Sequence, residues 1–256
     1  MIRTTDIERL INSSCGVCGF DLIKEHLIQC RKIQDIPENA ASVILFTFPY
    51  KIKEEKPKNI SRYAAVPDYH PICKERLDSF AEILKTAFPN NSFVSFVDNS
   101  PIPEVYAAAC AGLGVLGKNG LLITKEYGSF VFIGEIVTDL EIQTENKKEN
   151  CIGCGACEKA CPVSLNKEKC LSSVTQKKKD LSDSEIELIK KSGCIWGCDI
   201  CSEVCPMNKD KKLSDDQRFV DGYRHTYIYN EDITHRAYAW RGEKIIKRNC
   251  ELGSRN

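Results

Sequence analysis

Residues 151–170 read CIGCGACEKACPVSLNKEKC, five cysteines in twenty positions, four of them in the order C-x2-C-x2-C-x3-C-P. Thiolates are soft, anionic donors that suit iron. This spacing gives three ligands to one 4Fe–4S cluster and sends the fourth to another. A second motif, CDICSEVCP at residues 198–206, repeats the C-x2-C-x3-C-P ending. If the two motifs exchange their last cysteines, cluster A takes Cys151, Cys154, Cys157 and Cys205, and cluster B takes Cys161, Cys198, Cys201 and one more. The prolines that follow Cys161 and Cys205 end the local helix and release the chain. A zinc ribbon would use paired C-x2-C knuckles without the third cysteine or the C-P ending. Spacing leaves the eighth ligand open between Cys194, four positions before Cys198, and Cys170, in KEKCLSSVT.

Fifteen cysteines in 256 residues, with no apolar leader after MIRTTDIERLINSS, point to metal–thiolate chemistry in a reducing cytoplasm rather than to a secreted disulfide scaffold. No run of about eighteen apolar residues suggests a membrane span. Lys+Arg and Asp+Glu balance at 36 each, so no strong whole-molecule field for nucleic acid is expected. Cys30, Cys110 and Cys250 read as small buried hydrophobes. Cys15 and Cys18 form a lone C-x2-C without the rest of a thioredoxin-like pattern, so they read as two thiols in a helix–strand corner.

The elements around these residues alternate strand and helix up to about residue 145. Residues 41–50 (ASVILFTFPY) and 91–98 (NSFVSFVD) read as strands, and residues 129–142 as β-rich. CKERLDSFAEILKTAF places Leu77, Phe80, Ile83, Leu84 and Ala87 on one helical face. PEVYAAACAGLG reads as a short helix opened by Pro103 and closed by glycine. The polar stretch QTENKKEN, residues 143–150, reads as a linker, and KKKDLSDSEIELIKK as a solvated helix capped by Ser182 or Asp183. The domains expected are therefore residues 1–146 (catalytic), 147–212 (two-cluster, ferredoxin-like) and 213–256 (a C-terminal tail).

Two motifs are decoys. GLGVLG at residues 112–117 has the form G-x-G-x-x-G, but it follows an alanine-rich helix and leads to an apolar strand, the reverse of a dinucleotide fingerprint. It reads as a tight backbone turn. DYHPIC at residues 68–73 begins like the D-x-H-x-x-G of cobalt-ligating histidines but ends in cysteine. His70 is thus either a packed, hydrogen-bonded histidine or one that lines a cofactor.

The cysteine motifs, read with residues 96–142 (FVDNSPIPEVYAAACAGLGVLGKNGLLITKEYGSFVFIGEIVTDLEI), with SVILFTFPY and with ISRYAAVPDYH, resemble the epoxyqueuosine reductase family, itself related to reductive dehalogenases. The likeness spans roughly residues 41–208, with a fainter echo in RGEKIIKRN. It implies an α/β (α+β), nitroreductase-like cobalamin-binding domain followed by a small ferredoxin-like domain with two 4Fe–4S clusters. It implies reduction of epoxyqueuosine to queuosine in tRNA, with flavodoxin or ferredoxin as electron donor. Cys170, in the family's cysteine–leucine–serine context, becomes the eighth ligand. Asp98 falls at the family's proton donor, and desolvation beside a corrin is expected to raise its pKa. Ser61, Leu122 and Ile133 fall where the family places cofactor contacts, largely through backbone; Lys118 is expected to meet corrin amides or phosphate, and Tyr69 and His70 are expected to line the cofactor.

Two departures bear on the substrate. Seven positions after the acid the family usually carries Arg, and here stands Val105. Family members also commonly continue into helical repeats that help hold tRNA. The alternatives carried forward are a corrinoid-dependent reductase of a different small or protein-bound substrate and a two-cluster electron-transfer protein.

Overall fold

The computed structural model describes residues 1–53, 58–145 and 148–253. The expected domain boundary between residues 146 and 147, and the end of the expected tail, lie outside the described residues. The chain divides into two compact units, Met1–Phe48 with His70–Gly153, and Pro49–Tyr69 with Cys154–Asn256.

The first unit is a mixed α/β layer. Its elements are β1 (Ile2–Arg3), α1 (Thr4–Ile11), β2 (Gly16–Gly19), β3 (Ser42–Pro49), α3 (Tyr69–Ala87), β4 (Phe93–Val97), α4 (Glu104–Cys110), β5 (Val115–Leu116), β6 (Leu122–Ile123), β7 (Val131–Thr138), β8 (Ile142–Gln143) and β9 (Glu149–Asn150). The main sheet runs β2-β3-β7-β4, with β2 antiparallel to β3 and β4 antiparallel to β7. Side chains alternate across a strand, so β7 sends Ile133, Glu135 and Val137 to one face and Phe132, Gly134 and Ile136 to the other. The first face packs with Val43, Leu45 and Phe96 against Ala107, Ala108 and Ala109 of α4, whose small side chains let the helix lie close. On the second face a Cβ at Gly134 would meet Leu77 Cδ1 at 2.7 Å, so glycine makes room for α3.

The buried stripe of α3 is Cys73, Leu77, Ala81 and Leu84. Ile83, expected on that stripe, is 38% exposed, and Ala87 is exposed as well. The small residues Cys73 and Ala81 continue the Leu77–Leu84 line at helical spacing and turn the face away from Ile83. The stretch expected as a linker, residues 143–150, takes part in pairing: Gln143 pairs with Arg3, and β9 pairs in parallel with β5.

The second unit holds α2 (Arg62–Ala65), α5 (Ala156–Ala160), α6 (Leu171–Thr175), α7 (Asp183–Ser192), α8 (Ile200–Glu203), α9 (Gln217–Asp221) and α10 (Glu243–Gly253). Ser182 caps α7 in a reciprocal box with Glu185. The residues set apart as a tail are part of this unit's core: Tyr227, Tyr238, Ile245 and Ile246 pack with Ile60, Ala64, Ala65 and Trp196. Asn249, fully buried, donates to Thr175 O at 2.7 Å and Ile195 O at 2.9 Å, which ties α10 to the segment before the second cysteine motif. No helix among the described residues is long and apolar enough to cross a membrane.

Candidate functional site

The two cysteine motifs share the turn before the first cysteine and the exit at the last, and differ between them at Gly155 (φ 73°) and Asp199 (φ −112°). Gly153 and Gly197, each directly before a cysteine, stand at φ 68° and 74°, the left-handed region that glycine enters at no steric cost. A short helix follows in both, α5 carrying Cys157 and α8 carrying Cys201, and the two helices pack on each other. The helices give way to Cys161 at φ −70°, ψ 123° and Cys205 at φ −73°, ψ 120°. The Gly-Cys-x2-Cys-x3-Cys-Pro repeat is thus matched in conformation at its first glycine and its last cysteine. A Cβ at Gly153 or Gly155 would meet nothing within 4 Å, so the turn beside Cys154 is open.

The candidates for the eighth ligand differ in their surroundings. Cys194 directs its thiol to the carbonyls of Trp196 (3.3 Å) and Gly197 (3.4 Å), and burial pushes its pKa up to about 12. Cys170 stands just before α6, and both candidates lie near enough to Cys198 for the thiols to interact, so what separates them is the hold of two carbonyls on Cys194. In the first unit the Lys118 backbone N–H donates to Cys151 Sγ at 3.3 Å. Lys118, expected at the corrin, thus meets a cluster cysteine through its main chain. Cys15 and Cys18 flank the start of β2, both buried, with thiols pushed up to about 12 by burial, as a helix–strand corner predicts. Cys110 and Cys250 are buried too, whereas Cys30 is only partly covered.

The second group of residues lies at one end of β4 in the first unit. Asp98 follows the strand with φ 52°, an uncommon conformation for a residue with a Cβ. Its Oδ2 meets His70 Nε2 at 3.1 Å, and the two side chains are 55% and 35% exposed. Hydrogen bonding to His70 holds the Asp98 carboxyl below its ordinary range, against the opposing effect of burial. Without a corrin beside it, the Asp98 carboxylate is partnered and partly open to water, so it is held below rather than above its ordinary value.

The raised carboxyls lie beside it. Pro103 precedes α4, so Glu104 enters the helix's first turn, where its Oε2 is buried without a hydrogen-bond partner. Burial, then the charge of Asp98, pushes Glu104 up to about 7. Glu135, opposite Phe96 in the β4–β7 register, is fully buried, and neither of its oxygens has a hydrogen-bond partner. Burial, then Glu104, holds it well above its ordinary value, with Ser100 and Lys32 acting the other way. An unpaired carboxylate in apolar surroundings is costly enough that the group keeps its proton instead. Sequence reading missed both. The available signal was a glutamate at the centre of the alternating apolar face Ile133-x-Glu135-x-Val137.

The remaining expected positions are separate. Leu122 and Ile133 are buried core residues of the first unit. Tyr69 begins α3. Ser61 caps α2 in the second unit with its Oγ buried and unpartnered, and a Cβ on Gly197 would fall 2.0 Å from that oxygen. The GLGVLG turn carries no nucleotide-binding geometry: a Cβ at Gly114 would collide with Ile123 O at 2.6 Å, which explains the glycine by close strand packing. Among the described residues no three His, Cys, Asp or Glu side chains converge as a single bound ion requires.

Comparison with known proteins follows these two sites. A family model described as epoxyqueuosine reductase QueG, DUF1730, matches residues 31–99, and one described as a 4Fe-4S double cluster binding domain matches residues 150–208. Epoxyqueuosine reductase of Lactococcus garvieae is 36% identical over 157 residues, covering 54% of this chain and 44% of the relative. The Escherichia coli enzyme is 34% identical over 148 residues, 55% of this chain and 38% of its own. The chain spans about half the length of the curated relatives it matches, 44% and 48% for two of them. A crystal structure of epoxyqueuosine reductase with an epoxyqueuosine-modified tRNA-Tyr stem loop superposes with TM-score 0.79 at 25% identity, over 96% of this chain and 80% of that one. The Streptococcus thermophilus enzyme gives 0.76 at 24% identity, over 98% and 79%. The chain is thus similar to epoxyqueuosine reductases over about half their length, and its residues 150–208 match a double 4Fe–4S cluster binding domain.

Proposed function

We propose that this chain is a cobalamin-dependent iron–sulfur reductase that removes the epoxide oxygen of epoxyqueuosine in tRNA. The observation that carries the reading is the superposition, over nearly the whole chain, on an enzyme crystallised with a modified tRNA stem loop. In this reading Cys151, Cys154, Cys157 and Cys205 hold one cluster and Cys161, Cys170, Cys198 and Cys201 the other. Cys194, committed to two backbone carbonyls, is left out. The donor set fits in kind: six of the eight thiols stand on a repeated sequence motif, with open space beside Gly153 and Gly155.

The first unit is read as a nitroreductase-like cobalamin-binding fold. The residues of this unit fit such a group: Asp98 and His70 form a half-exposed hydrogen-bonded pair at one end of β4. Contacts through Tyr69, Lys118, Leu122 and Ile133 would be made largely by backbone. Bound cobalamin would supply strong one-electron reducing power that protein side chains lack. Asp98, oriented by His70, hands a proton to the oxygen that leaves. The electron donor is a small one-electron carrier such as flavodoxin or ferredoxin, and the setting is the cytoplasm, where tRNA is found.

A second reading rests on Val105. It packs against the apolar core where the family usually carries Arg, and this favours a corrinoid reductase acting on another substrate. Anaerobic purification with iron and cobalt analysis, followed by assay on epoxyqueuosine-containing tRNA, separates the two. About eight irons, one cobalt and formation of queuosine support the first; full cofactor loading without turnover supports the second. A protein that takes up iron but no corrinoid overturns both and leaves an electron-transfer protein.

A further inference from the structure

We propose that Glu104 stores a proton for the reduction and passes it to the substrate oxygen through Asp98, with Glu135 as the buried neutral carboxyl behind it. The proposal rests on the epoxide-reductase reading. Removing an epoxide oxygen as water and leaving a carbon–carbon double bond consumes two electrons and two protons. One proton converts the oxygen to hydroxyl as the first C–O bond breaks. The second converts that hydroxyl to departing water as the other C–O bond breaks and the double bond forms. The two electrons would be supplied one at a time by the bound iron–sulfur and cobalamin groups, re-reduced by the external one-electron carrier. The outer carboxyl, Asp98, holds at most one proton, so the second must come through it from elsewhere.

Glu104 is placed for this. It follows Asp98 by six residues, across a short loop that ends in the first turn of α4, and the charge of Asp98 acts on it. Its buried Oε2 has no hydrogen-bond partner, nor has either oxygen of the fully buried Glu135. Native proteins rarely leave such atoms without a reason. The groups facing the cluster are His70 from α3, Lys32 from the segment before β3, Asn99 and Ser100 from the loop, and Glu135 from β7. Only Lys32 and His70 are basic, and His70 is engaged with Asp98. Glu104 therefore keeps its proton near neutral pH, where a general acid is best matched to its task. Asp98 accepts that proton on its carboxylate and releases a proton to the substrate oxygen. Glu104, left ionised, is refilled from solvent by the same route.

The test is a carbonyl-stretch infrared titration of the full chain, with E104Q, D98N and E135Q, paired with kinetics of the iron- and cobalamin-loaded protein on epoxyqueuosine-containing tRNA. We expect a protonated carboxyl with a midpoint near 7, missing from E104Q and shifted to lower pH in D98N, where the charge that raises it is gone. E104Q should lose about 100-fold in kcat with little change in KM, and E104D should restore part of it. A wild-type chain that turns over while E104Q matches its kcat overturns the proposal and leaves the functional reading standing. A wild-type chain that reduces no epoxide overturns the functional reading instead. The titration then decides alone: a midpoint near 7 that moves in D98N supports the store, and an ordinary carboxylate titration sinks it.

Discussion

Asp199 in the second unit and Glu135 in the first are both carboxylates withdrawn from water, yet their surroundings differ. Asp199 accepts the Arg62 backbone N–H at 2.9 Å and faces Lys58 at 3.6 Å, inside a network that also joins Lys58 and Arg62 to Glu203. Glu135 lies under α4 among alanines, with no hydrogen bond of ordinary length to either oxygen and only the more distant Ser100 hydroxyl and Lys32 acting to ease its ionisation. A partnered buried charge beside the second cysteine motif fixes the chain around its ligands. An unpartnered carboxyl beside Asp98 fixes nothing, and it keeps a proton. The comparison teaches that burial alone does not mark a reactive acid. What marks it is burial without a partner, next to a half-exposed group that can pass the proton on.

The largest effect should come from the thiolates, where the second unit's role is to hold metal. C170A should lose about half of the cluster iron, since one of two four-ligand sites is left a ligand short, whereas C194A should keep nearly all of it. Iron and sulfide analysis after anaerobic reconstitution, with the EPR of the reduced protein, reads this directly. Equal iron in the two variants, or loss confined to C194A, would exchange their roles.

The carboxylates come next. D199A strips Lys58 and the Arg62 amide of a buried partner and should cost about 3 kcal/mol in urea unfolding. E135L removes a carboxyl that has no partner and replaces it with an apolar side chain on an apolar face, so it should be neutral or stabilising by about 1 kcal/mol. If E135L were the more damaging of the two, Glu135 would have a structural partner and the contrast would disappear.

How far the sequence reveals these sites depends on the range of the contacts involved. The cysteine repeat is legible because glycine, cysteine and proline act on their own few residues, and the matching torsions at Cys161 and Cys205 follow from that. The α4 helix and the GLGVLG turn are legible for the same reason. The placement of residues 49–69 in the second unit is not, because it depends on pairings such as Ile60 with Trp196, far apart in the chain. Asp98 is visible only through family likeness, and its low pKa depends on His70, 28 residues away. Glu135 was within reach: alternation places it between Ile133 and Val137, and a glutamate on an apolar stripe is the exception to ask about.

Stability against pH sharpens the contrast within the first unit. Glu104 stands at about 7 in the folded chain, above the ordinary 4.5. The folded state then binds this proton more tightly than the unfolded state does. Its contribution is fully present below about pH 4.5 and is lost as pH rises to about 7. The size should be about 2 kcal/mol after allowing for partial exposure. E104Q, neutral throughout, should flatten that window in chemical denaturation between about pH 4.5 and 7.

The smallest effect should be the mirror image of that one, at the residue next door. Hydrogen bonding to His70 holds Asp98 below its ordinary range. A depressed pKa stabilises the folded state above the unfolded value and gives that stability up as pH falls through the folded one. Removing the partner in H70A should therefore weaken the protein only when compared above about pH 4, and by less than about 1 kcal/mol, because both side chains stand partly in water. Between pH 4.5 and 7, where E104Q shows its effect, H70A should run parallel to the wild type. Two carboxyls within six residues of each other would then respond to pH in opposite directions, one because it is partnered and one because it is not. A variant that changed slope in the Glu104 window instead would mean that His70 governs the inner acid as well, and that the two carboxyls titrate as one unit.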